Sequence, residues 1–286
     1  MKYSNLPPGT HLPLLLLSLM LVACAADKGN EGEQNNAGNA GSQLSIFLND
    51  TGITTCSDYD YTTPDDLPCP QDGFPGQDAE FGRDAQAQAG TLVKVGGGRA
   101  GFDFTKLDAN GDPLADQTVD YATTPWSCVQ DNHTGLTWEV KTTDGGLRDA
   151  NHTYTWYNST GVNDGGDPGT ANGGTCVDSS NCDTEKYVAA VNAVGLCGQT
   201  DWRLPQKVEL RSLVDHSAFT PAIDTDYFPN TNDSRETFST AFWTISPSAF
   251  YVNIAWSVDF VSGLDYLDTI NGKSATRYVR LVREGR

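Results

Sequence analysis

The stretch Asp201-Trp-Arg-Leu-Pro-Gln-Lys-Val-Glu-Leu-Arg-Ser-Leu-Val-Asp215 decides how this chain is read. Trp202 and Leu204 are large apolar residues leading into Pro205. A proline fits the first position of a helix, where its missing N–H has no partner to lose and its fixed φ is already helical. Beyond it Val208, Leu210, Leu213 and Val214 recur at roughly helical spacing, while Lys207, Glu209 and Arg211 can face water. The spacing predicts a buried tryptophan beside a short amphipathic helix.

Upstream, Asp183-Thr-Glu-Lys opens a second helix whose Tyr187, Ala190, Val191 and Val194 share one face, with Gly195 as its stop. Before it runs a Gly/Asp/Asn-rich loop from Gly161 to Ser180. Earlier still, Trp126-Ser-Cys128-Val and Leu136-Thr-Trp138-Glu-Val140 alternate as strands around the polar turn Asp131–Gly135. Downstream of the short helix, Pro221–Pro229 reads as a loop. Four strand candidates follow: Phe242–Ile245, Ala255–Phe260, Leu264–Leu267 and Arg277–Val282. Strands, then two helices, then strands define an α+β fold with the helices beside a mostly antiparallel sheet.

The region 44–124 is turn-rich and irregular, with short strands expected at Leu92–Val95 and Phe102–Phe104. Gly96–Gly101 formally fits G-x-G-x-x-G, but a dinucleotide site needs a helix to open there, and Phe102–Thr105 alternates like a strand. Asp108-Ala-Asn110-Gly-Asp112 has the spacing of the first calcium ligands of an EF-hand loop. The closing glutamate is absent, since Val119 stands at the twelfth position, so a turn on Asn110-Gly111 is expected instead.

Leu12–Ala23 is almost wholly apolar, the length of a signal-peptide core and too short to span a bilayer. It ends in Leu21-Val-Ala-Cys24, which resembles the lipobox of bacterial lipoproteins. That resemblance implies cleavage after residue 23, lipidation of Cys24 and an outer-membrane or cell-surface location in a Gram-negative bacterium, with contact to the membrane through the lipid anchor alone. Several acyl chains make such an anchor stable. Residues 24–43 contain no large apolar side chain and read as a flexible tether, with a reach on the order of 20–25 Å. The net charge of −19 argues against nucleic acid and anionic surfaces as partners.

With Cys24 assigned to lipid, six of the seven cysteines remain, an even number in an exported chain. Many pairings are open to six cysteines. Loop closure favours near neighbours, hence Cys56–Cys69 and Cys176–Cys182, leaving Cys128–Cys197. No C-x₂-C pair is present to favour zinc.

The order of motifs carries a resemblance. Trp126-Ser-Cys-Val-Gln-Asp-Asn-His-Thr-Gly-Leu-Thr-Trp-Glu-Val-Lys141, Leu147–Ala150, Tyr154–Tyr157 and Tyr187–Asn192 come first. Gly198-Gln-Thr-Asp-Trp-Arg-Leu-Pro205, Tyr227–Thr231 and Val279–Val282 follow. Together they resemble the Lcl C-terminal domain family, a bacterial domain of unknown function, over about Trp126 to Arg283, so residues 125–286 read as one such domain. Gly76–Asp84 is similar to a segment that often precedes that domain. The resemblance implies an exported protein with C-type-lectin-like architecture. The family's namesake closes a collagen-like adhesin that binds sulfated glycosaminoglycans. This chain has no Gly-X-Y stretch, and 18 Lys+Arg against 37 Asp+Glu leave little for a polyanion to bind.

No nucleophile elbow or H-E-x-x-H motif is present, and Gly272-Lys-Ser274 lacks the first glycine of a phosphate loop, Leu267 standing in its place. Formylglycine-generating enzymes share the Arg-Leu-Pro-then-helix feature, but they use a late cysteine pair and no cysteine follows Cys197. The expectation is therefore a non-catalytic domain binding a glycan or a protein partner. Its alternative is a structural or assembly component of the envelope with no small ligand. Trp156, Tyr157, Trp243 and Trp256 are the candidates for stacking on sugar rings. Asp164 and Asp167, or Asp224 and Asp226, are the candidates for holding calcium.

Overall fold

The computed structural model describes residues 48–58, 66–232 and 240–285. In chain order the helices and strands are α1 (Gly82–Gln88), β1 (Phe104–Leu107), β2 (Cys128–Asp131), β3 (Leu136–Glu139), β4 (Tyr154–Thr155), α2 (Thr184–Val194) and α3 (Lys207–Arg211). Then come β5 (Ala241–Pro247), β6 (Ala255–Asp259), β7 (Leu264–Leu267), β8 (Thr276–Arg277) and β9 (Val282–Glu284). They build a four-stranded sheet in the order β1-β2-β3-β9, a pair β4-β8 and a three-stranded sheet β5-β6-β7. Every strand pair within these sheets is antiparallel, so the fold is α+β as the element order implies.

The β2–β3 hairpin shows how the local sequence sets the geometry. The Asp131 carboxylate accepts the N–H groups of His133 and Thr134 at 3.0 and 3.1 Å, forming an Asx turn. Gly135 then takes φ +78°, a conformation costly for any side chain. Helix α2 begins at Asp183, whose carboxylate caps the Lys186 N–H at 2.9 Å, and ends at Gly195 in the left-handed region. It buries Tyr187 and Val191, whereas Val194 is exposed.

The arm Trp202–Pro205 links the sheets. Arg203 exchanges backbone hydrogen bonds with Val282 of β9, both 2.9 Å, and the Ile245 N–H of β5 donates to the Pro205 carbonyl at 2.8 Å. Asn192 of α2 brackets Trp202, accepting its N–H and donating to its carbonyl, and the indole N–H reaches the Leu196 carbonyl. Helix α3 then starts at Lys207, two residues past the proline, behind a reciprocal Gln206–Glu209 capping box. Glu209, expected to face water, is buried instead. Its carboxylate takes a bidentate pair from Arg203, both bonds 2.8 Å, and the Gln206 N–H at 2.7 Å, while Val208 points outward.

The region ahead of Trp126 does more than precede the domain. Strand β1 is an outer strand of the four-stranded sheet, and Phe102 and Phe104 lie in one core with Trp126, Trp138, Leu213 and Phe228. A second core gathers Trp156, Tyr187, Trp202, Trp243 and Leu281. No strand forms at Leu92–Val95. The Val95 and Gly96 N–H groups donate to the Asp103 carboxylate, and Val93 and Val95 face solvent. The tail read as one strand from Arg277 to Val282 is divided between β8 and β9, in two different sheets. Helix α1 was not expected at all, because it buries an aspartate, Asp84, rather than an apolar stripe. The disulfides are Cys56–Cys69 and Cys176–Cys182, the near neighbours that loop closure favours, and Cys128–Cys197, the pair they leave.

Candidate functional site

Strand β4 and the loop after it, the first turns of α2, and the arm enclose a cleft of about 360 Å³. Tyr157 and Val162 form one side, Thr184, Glu185 and Val188 of α2 another, and Leu204 with Ile245 the base. Most of this lining is apolar, joined by the amides of Asn158 and Asn163 and the carboxylate of Glu185, the usual composition of a small-ligand pocket. The rim is tied to the wall. Glu185 accepts the Ser159 N–H at 2.6 Å and its hydroxyl at 2.8 Å, and Thr184 Oγ1 exchanges hydrogen bonds with both backbone groups of Tyr157 at 2.9 Å. Arg203 at the edge is held by Glu209, which raises its pKa above the ordinary arginine value. The Tyr157 hydroxyl makes no hydrogen bond among the described residues, so the half-buried ring offers a free polar tip.

Of the four aromatic candidates, Tyr157 alone can meet a ligand broadly here. Trp156 and Trp243 are fully buried. Their indole N–H groups donate to the Thr244 and Tyr154 carbonyls at 2.9 and 2.8 Å, so both are core residues and neither offers a ring face for a sugar. Trp256 is half-buried on β6, but Lys207 Nζ sits 3.9 Å from its ring centroid, and it lies outside the cleft.

The Asp164–Asp167 loop does receive a cation, and the cation is part of the chain. Lys273, itself buried, donates its ammonium to the carbonyls of Asp164, Asp167 and Val252, the last at 2.7 Å, with Nζ 4.3 Å above the Trp156 ring. Burial pushes this lysine below its ordinary pKa, and Asp167 and Asp164 oppose that shift. The two carboxylates turn to their own loop, accepting the Gly166 and Gly169 N–H groups at 2.8 and 2.7 Å. Among the described residues neither belongs to a group of three or more metal-ligating side chains. Asp224 is buried with each oxygen on a backbone N–H, from Arg99 at 2.9 Å and Asp226 at 3.1 Å, while Asp226 is exposed. Burial raises the Asp224 pKa. These two aspartates belong to a different cavity, 450 Å³ in volume, around Lys106 and Trp126.

The carboxylates that do approach one another, within 4.8 Å among the described residues, are Asp50, Asp78 and Asp84. The sequence reading passed over them. Asp78 and Asp84 sit in the Gly76–Asp84 segment, but Asp50 is distant in sequence and no short spacing announces the group. Their oxygens are busy with protein donors: Asp84 accepts the Gly52 and Gly101 N–H groups at 2.7 and 2.6 Å, Asp50 the Asp84 N–H at 3.0 Å. The Asp108–Asp112 motif is likewise a turn, with Asp108 Oδ1 accepting the Asn110 and Asp112 N–H groups. Also missed was the loop tip Phe250-Tyr-Val252, whose side chains are all exposed beside the Lys273-bound loop. Cys24 lies outside the described residues.

A disulfide-stapled α+β domain with an apolar cleft defines the class of protein, and its order of motifs defines the family. The Lcl C-terminal domain matches residues 127–283, and the chain belongs to that family. Comparison with curated proteins and with solved structures gives no match.

Proposed function

We propose that the protein is an exported, lipid-anchored surface protein whose domain, C-type-lectin-like in architecture, binds a glycan without transforming it. The cleft beside Tyr157 is the place of binding. The observation that carries this reading is the combination of an apolar base, a half-buried tyrosine with an unbonded hydroxyl and an amide-bearing rim in one 360 Å³ cleft. A tyrosine ring at such a place gives contact area at low entropic cost. The charge of −19 supports a neutral or basic glycan over a sulfated one. The lipobox-like Leu21–Cys24 supports the anchor.

A glycan array probed with the full chain, with and without chelator, tests the reading. Neutral glycans should be retained and Tyr157→Ala should abolish retention. An array blank in both conditions would count heavily against a lectin. Crosslinking in intact cells to one fixed protein neighbour would then favour an assembly role in the envelope. Mass spectrometry of the protein from its host should find Cys24 acylated, and an unmodified thiol there removes the anchor.

A further inference from the structure

Strand β1 places a cation where the sheet pattern calls for hydrocarbon. Phe104 and Lys106 share a face of the strand, and Lys106 is only 4% exposed. Its Nζ lies 4.3 Å from the Trp126 ring centroid and 5.1 Å from that of Tyr227. Among the described residues its hydrogen-bond acceptor is the Val119 carbonyl, at 2.9 Å, and no carboxylate stands within ion-pairing distance. An ammonium has three protons to donate, and beyond the Val119 bond it faces the cavity, where the Asp226, Asp224 and Asp120 charges act on it from beyond ion-pairing distance.

The ammonium opens on the 450 Å³ cavity, which Gln117, Asp120, Tyr121, Asp224 and Asp226 also line. Gln117 braces one wall, accepting the Lys106 N–H at 2.7 Å and donating to its carbonyl at 3.0 Å. Arg99 borders the cavity too, but its guanidinium is committed to Asp215 at 2.9 Å and Ser217 at 3.2 Å. Asp120 and Asp226 are exposed, and their carboxylates accept no hydrogen bond among the described residues. The ring faces are partly taken: Lys106 lies over Trp126 and Tyr227, and Tyr121 meets Trp126 edge-on at 5.0 Å. What the cavity has to offer is separated charge, an ammonium at the base and carboxylates at the mouth.

We propose that this cavity binds a small zwitterion of the α-amino-acid type, its carboxylate on Lys106 Nζ and its ammonium facing Asp226 and Asp120. A simple anion would meet three carboxylates on entry, and a simple cation would meet the Lys106 ammonium. A zwitterion answers both, and the volume lies within the range of small-ligand pockets, about 300–1,000 Å³. The site is separate from the cleft at Tyr157 and does not rest on the glycan reading.

Titration calorimetry of the full chain against the free L-amino acids, each with its N-acetylated and C-amidated forms, tests this. At least one free amino acid should bind at millimolar concentration or below, and both blocked forms should bind about tenfold more weakly or worse, since each loses a charged hydrogen bond. Lys106→Met, which keeps the packing on Trp126, should weaken binding by a similar factor. Asp226→Asn, an exposed change that leaves the core intact, should weaken it several-fold, and Tyr157→Ala should leave it unchanged. Should Lys106→Met fail to fold, Asp226→Asn and the blocked ligands decide. Absence of binding by every free amino acid, equal affinity for blocked forms, or indifference to Asp226→Asn would overturn the proposal.

Discussion

At the scale of single residues, the chain hides its cations. Lys273 fills a cage of three carbonyls, and Lys141 is buried with Nζ 3.0 Å from Glu139 Oε1 and 2.8 Å from the Tyr187 hydroxyl. Glu139 also receives the Leu281 N–H at 2.9 Å, which ties β3 to the tail. Replacing Lys273 by Met should remove the three hydrogen bonds that hold the loop and cost about 1–3 kcal/mol. Hydrogen exchange should show the loop 161–170 opening sooner, with glycan retention reduced because that loop walls the cleft. A chelator should leave the wild-type melting temperature unchanged, because the cage holds an ammonium; a drop on chelation would show that a metal is needed after all. Lys141→Met strands Glu139 in the core, so equilibrium unfolding should show a loss of about 3–5 kcal/mol, and adding Glu139→Gln should recover part of it. A fully additive pair would contradict that coupling. None of this is legible from sequence. Lysine reads as a surface residue, and Lys106 and Lys273 reveal their burial only when residues far along the chain close over them.

At the scale of elements, legibility follows local chemistry. The β2–β3 hairpin, helix α2 and the buried Trp202 were readable because a turn residue, a cap and a glycine stop each act within a few positions. Helix α1 and the split of the tail into β8 and β9 were not, since each depends on partners distant in sequence; Glu209 was missed although Arg203 and Gln206, which hold it, lie only six and three residues away. The cleft was half-legible: Tyr157 was named, but the burial of Trp156 and Trp243 depends on carbonyls from other strands. The disulfides follow a distance rule that sequence does supply, and it ranks them. Cys128–Cys197 closes 69 residues and Cys176–Cys182 only six. In the chain-entropy account these restrict the unfolded state by about 4 and about 2 kcal/mol. Double serine substitution at each pair, followed by denaturant unfolding, should give losses in that order. Cys128–Cys197 also fastens β2 to the turn after α2, so its removal should loosen the Trp202 arm as well, seen as faster exchange of the Arg203 amide. Equal losses for the two pairs would mean that native packing, not loop length, sets their contribution.

At the scale of the molecule, charge governs the response to pH. Burial holds Asp84, Asp131 and Asp224 above the ordinary aspartate value of 3.8. A carboxyl raised in the folded state binds its proton before the unfolded chain does, so folding gains as pH falls through the raised value towards 3.8. The net charge of −19 acts in the same direction, since protonation relieves self-repulsion. Another group pulls the other way. Arg283 holds Asp201 below 3.8, and hydrogen bonds do so for Asp144 and Asp178. Their stabilising share is present above 3.8 and is lost as pH falls through their depressed values. The two sets together predict a melting temperature that rises as pH falls from neutrality towards the ordinary aspartate value and falls once pH drops below it. Scanning calorimetry across that range checks it, and a melting temperature that declines steadily from neutrality would sink it. Repeating the series near 1 M salt separates the causes, because salt screens the surface repulsion and scarcely touches the desolvation of buried carboxyls. The part of the rise that survives in salt belongs to Asp84, Asp131 and Asp224, and Asp224→Asn should reduce that part while leaving the salt-sensitive part in place.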